Sequence, residues 1–116
     1  MSYTAKVLIA QQYVDVALTK KYTSPTTANG GKGTWLDKST FANVTAGAAT
    51  VTVYLVPSGG ATGNDTKTIP PVSLAAGATL TLSDLAGKFI GPGDEIWWVA
   101  SAATTLNGAI NGREIT

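Results

Sequence analysis

Residues 50–56, Thr-Val-Thr-Val-Tyr-Leu-Val, place Val51, Val53 and Leu55 on one side of an extended chain and Thr50, Thr52 and Tyr54 on the other. A period of two in β-branched and aromatic residues marks a half-buried strand, and Pro57-Ser58-Gly59-Gly60 closes it with a turn. Helical period is absent beyond a single turn, so the pattern confines the chain to all-β architectures. The same grammar recurs along the sequence. Residues 5–11 form a compact apolar run suited to a strand buried on both faces, and 13–18 alternate weakly before 19–23. Residues 24–33 hold Pro25 and three glycines and read as a loop with almost nothing to bury.

A strand over 34–44 follows, anchored by Trp35, Leu36 and Phe41, with Lys38 interrupting its pattern as at an edge or a bulge. Pro70-Pro71 removes two ladder donors, which keeps 68–74 out of a sheet centre. Residues 79–82, 95–100 and 107–115 supply further strands, the last loosened by Gly108 and Gly112. Ser83 to Gly87 suits one helical turn. Some seven to eight short strands at roughly ten-residue spacing argue for an antiparallel β-sandwich, jelly-roll or immunoglobulin-like. At 116 residues the chain is one domain, 1–116, with an extended N-terminal arm at 1–5 as an added expectation.

Composition excludes several kinds of chemistry. There is no cysteine and no histidine, so disulfides, thiolate or imidazole metal sites, and Ser-His or Cys-His catalysis are all ruled out. A formal net charge of +1 provides no basic patch for nucleic acid. The apolar run at 7–10 is too short for a signal segment, and no window reaches bilayer-spanning length, so a cytoplasmic origin without a membrane is expected. Charged residues make up only 13%, about half the usual share, which suits a surface packed against neighbouring protein.

The motifs with chemical overtones resolve into turn chemistry. In Asn29-Gly30-Gly31-Lys32-Gly33-Thr34 the lysine is followed by Gly33 and a strand, whereas a phosphate loop needs Lys-Ser/Thr and a helix. The seven acids form no calcium-loop spacing, and Asp94 in Gly-Pro-Gly-Asp belongs to a turn. Asn43-Val44-Thr45 and Asn64-Asp65-Thr66 match the glycosylation pattern as coincidences of a Thr-rich chain. No catalytic, cofactor or metal residues are assigned.

Trp97-Trp98 carries more information. Neighbouring strand residues face opposite ways, so with Ile96, Trp98 and Ala100 inward, Trp97 and Val99 point outward. An outward indole fits a subunit contact, a sugar-stacking platform, or cover from a loop of the same chain. Trp35, after its glycine-rich loop, joins Trp97 and Val99 as a candidate contact residue. Lys6, Lys20, Lys21 and Lys38 are candidate guards of strand edges; alternatively an N-terminal arm donates a strand to a neighbour.

Lys6-Val7-Leu8-Ile9-Ala10, Tyr22-Thr23-Ser24-Pro25, Phe41-Ala42-Asn43-Val44-Thr45, residues 51–60, Leu74-Ala75-Ala76-Gly77-Ala78-Thr79, residues 91–96 and Asn111-Gly112-Arg113-Glu114 follow one another along nearly the whole chain. In this series the chain resembles the small β-sandwich virion proteins of tailed bacteriophages. The resemblance implies a non-enzymatic structural protein of the virion, made in the host cytoplasm, with no catalytic residue to transfer. It implies a capsid decoration or cement protein on the outside of the phage head, bound to the major capsid protein or another virion protein and forming a dimer or trimer. The alternative is a tail, collar or fibre module that binds a host surface glycan.

Overall fold

The computed structural model describes residues 2–116. Its strands are β1 (Tyr3–Tyr13), β2 (Thr19–Thr23), β3 (Gly33–Asn43), β4 (Ala49–Val56), β5 (Lys67–Leu74), β6 (Thr79–Thr81), β7 (Phe89–Ile90), β8 (Glu95–Ala100) and β9 (Leu106–Ile115). A first sheet runs β1-β9-β3-β6, with β7 also paired to β3, and a second runs β2-β8-β4-β5. All the pairings are antiparallel. With the two-residue β7 set aside and the other eight strands counted in order, the sheets read 1-8-3-6 and 2-7-4-5. That is jelly-roll connectivity. An immunoglobulin-like sandwich would pair the first two strands; here β1 and β2 lie in different sheets.

The core is the inward half of each alternation. Val51 and Val53 from β4, and Ile96 and Trp98 from β8, are wholly buried against Leu36, Phe41, Leu106 and Ile110 of the first sheet. Phe41 and Trp98 meet edge to face at 5.9 Å, joining the two layers. The glycines of β9 make room for close packing rather than loosening the strand, Gly108 at this contact and Gly112 beside β3 and β1. A Cβ on Gly108 would sit 2.7 Å from the Phe41 ring and 2.9 Å from the Trp98 ring, and one on Gly112 would sit 2.3 Å from the Trp35 carbonyl oxygen.

Local chemistry explains the irregular strands. Lys38 marks a bulge in β3 against β9, but β3 is an inner strand, so Lys38 guards no edge. β5 is an edge strand, and its register shift against β4 spans Pro70 and Pro71. β1 is also an edge strand. Leu8 and Ile9 are buried, whereas the residues before them are exposed, so the run is not buried on both faces. Residues 83–87 form turns with i→i+3 hydrogen bonds rather than a helix, and Gly87 takes the left-handed conformation that ends them. Where an arm was expected at 1–5, Tyr3, Thr4 and Ala5 begin β1 and pair with Ile115, Glu114 and Arg113 of the same chain; Met1 lies outside the described residues. The accessible surface, 5725 Å², is close to the ~5,900 Å² of a folded monomer of this mass, so the sandwich closes its own core.

Candidate functional site

Five of the seven acids are committed to structure. Glu114 reaches between the sheets, where it accepts a hydrogen bond from the Tyr22 hydroxyl and pairs with Lys6 Nζ at 3.2 Å. The Thr34 hydroxyl bonds both Tyr22, at 3.1 Å, and Ser24, at 2.7 Å, so one chain of polar groups ties β1, β2, β3 and β9 together. Burial, and then the Glu114 carboxylate, push the Tyr22 hydroxyl well above the ordinary tyrosine range. Asp15 accepts the Trp98 indole N–H at 2.9 Å and pairs with Lys21 at 3.2 Å. The indole bond, then the lysine, outweigh burial and hold its carboxyl below the usual value. Asp94 accepts the Gly91 N–H within its own turn and the Ser58 N–H from the turn that follows β4. Asp37 pairs with Arg113 at 2.9 Å, and Asp65 and Asp84 are exposed. Among the described residues no group of three His, Cys, Asp or Glu side chains could hold a metal.

Other motifs are equally structural. Asn43 is buried, donates to the carbonyls of Gly47 and Leu74, and accepts from Thr45, so its amide cannot take a glycan in the folded protein. The loop after Pro25 makes a short 3₁₀ turn at Thr27–Asn29, buries Gly31 and Gly33, and donates the Lys32 N–H to Ile115. It is docked on the sandwich, where a loop with almost nothing to bury was expected.

The three candidate contact residues do not form one site. Ile96, Trp98 and Ala100 are buried, and half-buried Trp97 and Val99 alternate with them on the outer face of the second sheet. There Lys20, Trp97, Tyr54 and Lys67 lie side by side across four strands. The Trp97 indole donates to Glu95 at 2.9 Å, Glu95 also meets Lys20 at 3.4 Å, and the Lys67 ammonium lies over the Tyr54 ring. Trp35 sits on the opposite outer face, that of the first sheet. Its ring packs 5.0 Å from the exposed Phe89, and its cross-strand neighbour is Arg113.

That first-sheet face holds the residues sequence reasoning missed. Of seven exposed large apolar residues among those described, Tyr3, Val7 and Tyr13 lie on β1 and Phe89 on β7. Tyr3 and Val7, each 58% exposed, are the most open of them. A shallow depression beside Val7 is lined by Ala5, Asp37 and Asn111. Recognising β1 as an edge strand would have found them, because the period-two side of Tyr3, Ala5 and Val7 then faces outward.

No family model matches the chain, and no curated protein matches it. Among solved structures, it is similar to a chain from Bacillus endospore appendages, described as a novel family of disulfide-linked pili. That likeness has a TM-score of 0.53 at 14% identity and covers 99% of this chain and 88% of the other. The fold is therefore one that such an appendage subunit also uses. The absence of cysteine here means that disulfide linkage does not carry over.

Proposed function

We propose that this chain is a non-enzymatic structural subunit that acts by packing non-covalently against copies of itself and against other protein in a large assembly. The observation that carries the reading is the gathering of Tyr3, Val7, Tyr13 and Phe89 on one outer sheet face of an otherwise closed, low-charge sandwich. Exposed apolar surface of this kind gains about 25 cal/mol per Å² when covered, less the cost of ordering the partners. Repetition over an assembly multiplies a modest contact.

The finer reading is a decoration subunit on the outside of a tailed-phage head, supported by the strand-and-turn motifs that run along nearly the whole sequence. A second reading, a filament subunit, is favoured by the fold shared with the Bacillus appendage chain. Mass-resolved stoichiometry of purified particles separates them. On the order of hundreds of copies per virion supports shell decoration, and about a dozen or fewer points to a tail, collar or fibre module. Non-covalent filaments without a virion favour the second reading. A purified chain that stays monomeric and joins no particle overturns the proposal.

A further inference from the structure

Resting on that assembly reading, we propose that the open edge of β1 pairs with the same edge of a second copy, antiparallel about a two-fold axis at Ala5. The two first sheets would then become one continuous sheet.

The strand edges differ in how they are protected. β2 is five residues long, carries Lys20 and Lys21, and has a register shift between Lys20 and Tyr22. β5 carries Pro70 and Pro71 at its own shift. The far edge of the first sheet is divided between β6 and β7, of three and two residues. Lysines, prolines, bulges and short length are the devices that prevent edge pairing. β1, at 11 residues, lacks them over its first half: Tyr3 to Val7 pair with β9 without a shift. Lys6 is the one charge there, and its ammonium is held by both Glu114 carboxylate oxygens, at 3.2 and 3.3 Å.

Backbone parity selects the register. Ser2 and Thr116 exchange both of their hydrogen bonds, so Thr4 and Lys6 also turn toward β9, while Tyr3, Ala5 and Val7 direct N–H and C=O to the open edge. An axis at Ala5 sets Ala5 opposite Ala5, and Tyr3 of each copy opposite Val7 of the other. All three outward residues then find outward partners, giving about six backbone hydrogen bonds. An axis at Thr4 leaves Val7 opposite position 1, and one at Lys6 sets Tyr3 against Ile9, where β1 is irregular. The Ala5 axis also joins the two most exposed apolar side chains, Tyr3 and Val7, as aromatic–β-branched cross-strand pairs.

A chain without cysteine makes the test direct. Across such a hydrogen-bonded pair the Cα atoms lie about 5.5 Å apart, within disulfide reach. A5C should therefore oxidise to a linked dimer at least about ten times faster than V7C on the same edge or K20C on β2, whose copies the axis holds apart. V7K should lower the mass seen by light scattering without lowering the melting temperature measured at a dilution where the wild type is also dissociated, because Val7 is 58% exposed in the single chain. Equal linkage rates for A5C and V7C overturn the register. Failure of A5C to link while the wild type remains oligomeric overturns β1 pairing and leaves assembly through another face. A wild type that is monomeric at its highest soluble concentration overturns both.

Discussion

Adding one methyl group at Gly108 should destabilise the sandwich, even though the same substitution in most strands helps. The new Cβ would meet Phe41 Cε1 at 2.7 Å, Phe41 Cδ1 at 2.8 Å and Trp98 Cζ3 at 2.9 Å, against about 3.4 Å or more for ordinary contact. Both rings are wholly buried and lean on each other, so neither can retreat without moving the contact between the two sheets. Overpacking of this kind costs about 1–3 kcal/mol, and removing a glycine from a strand returns about 0.5–1. Three contacts under 3.0 Å put the overpacking in the upper part of that range, so the net loss for Gly108→Ala is about 1–2 kcal/mol. With an unfolding entropy near 2.1 cal/mol/K per residue, that lowers Tm by about 4–8 °C. Gly47→Ala is the matched control: its Cβ meets nothing within 4 Å, so Tm should rise by about 2–4 °C. Calorimetry of the two variants decides the point, and in a Phe41→Leu background the Gly108→Ala penalty should shrink. A Gly108→Ala protein as stable as the wild type would refute close approach as the reason for glycine there.

The polar network should respond unequally to its two ends. Glu114→Gln leaves buried donors poorly matched and should cost about 1–3 kcal/mol in chemical denaturation, while Lys6→Met, at the half-exposed end, should cost less than about 1; equal losses would contradict the network as drawn. Because the Asp15 carboxyl titrates lower when folded, the native state binds fewer protons than the unfolded state in that window. The stability it adds is present above its ordinary value of 3.8 and fades as pH falls through the folded value, so Asp15→Asn should flatten the acid limb followed by Trp fluorescence. Trp97→Ala should weaken assembly by about 2 kcal/mol, roughly thirtyfold in affinity, with a smaller change in monomer stability; sedimentation and thermal melts with the opposite ranking would remove the second-sheet face as a contact.

The strand alternations were readable because each inward residue has a local cause. Val51, Val53, Ile96 and Trp98 alternate with polar or half-exposed neighbours, so period alone assigns their faces. Pro70-Pro71 announced an edge because proline cannot donate to a ladder, and β5 is one. Lys38 was ambiguous for a physical reason: a bulge in an inner strand and a regular edge both bring a charge to the surface. The choice between jelly-roll and immunoglobulin-like order depends on which strands cross between sheets, and no local residue pattern encodes that pairing.

The outer faces were harder to read because their meaning is relative. Trp97 read as an outward indole and Trp35 both as a strand anchor and as a contact candidate, and only the sheet order shows that they occupy opposite faces of the sandwich. The apolar run around Val7 misled in the other direction: hydrophobicity suited burial on both sides, yet β1 is an edge strand and presents Tyr3 and Val7 outward. Within one chain those two residues conflict with the rule that apolar side chains avoid water. That conflict disappears if a second copy supplies the missing strand, since the residues that violate burial in the monomer are the ones whose backbone groups also lack partners. Two deficits, of hydrogen bonds and of apolar cover, coincide on Tyr3, Ala5 and Val7, and one neighbouring strand would relieve both.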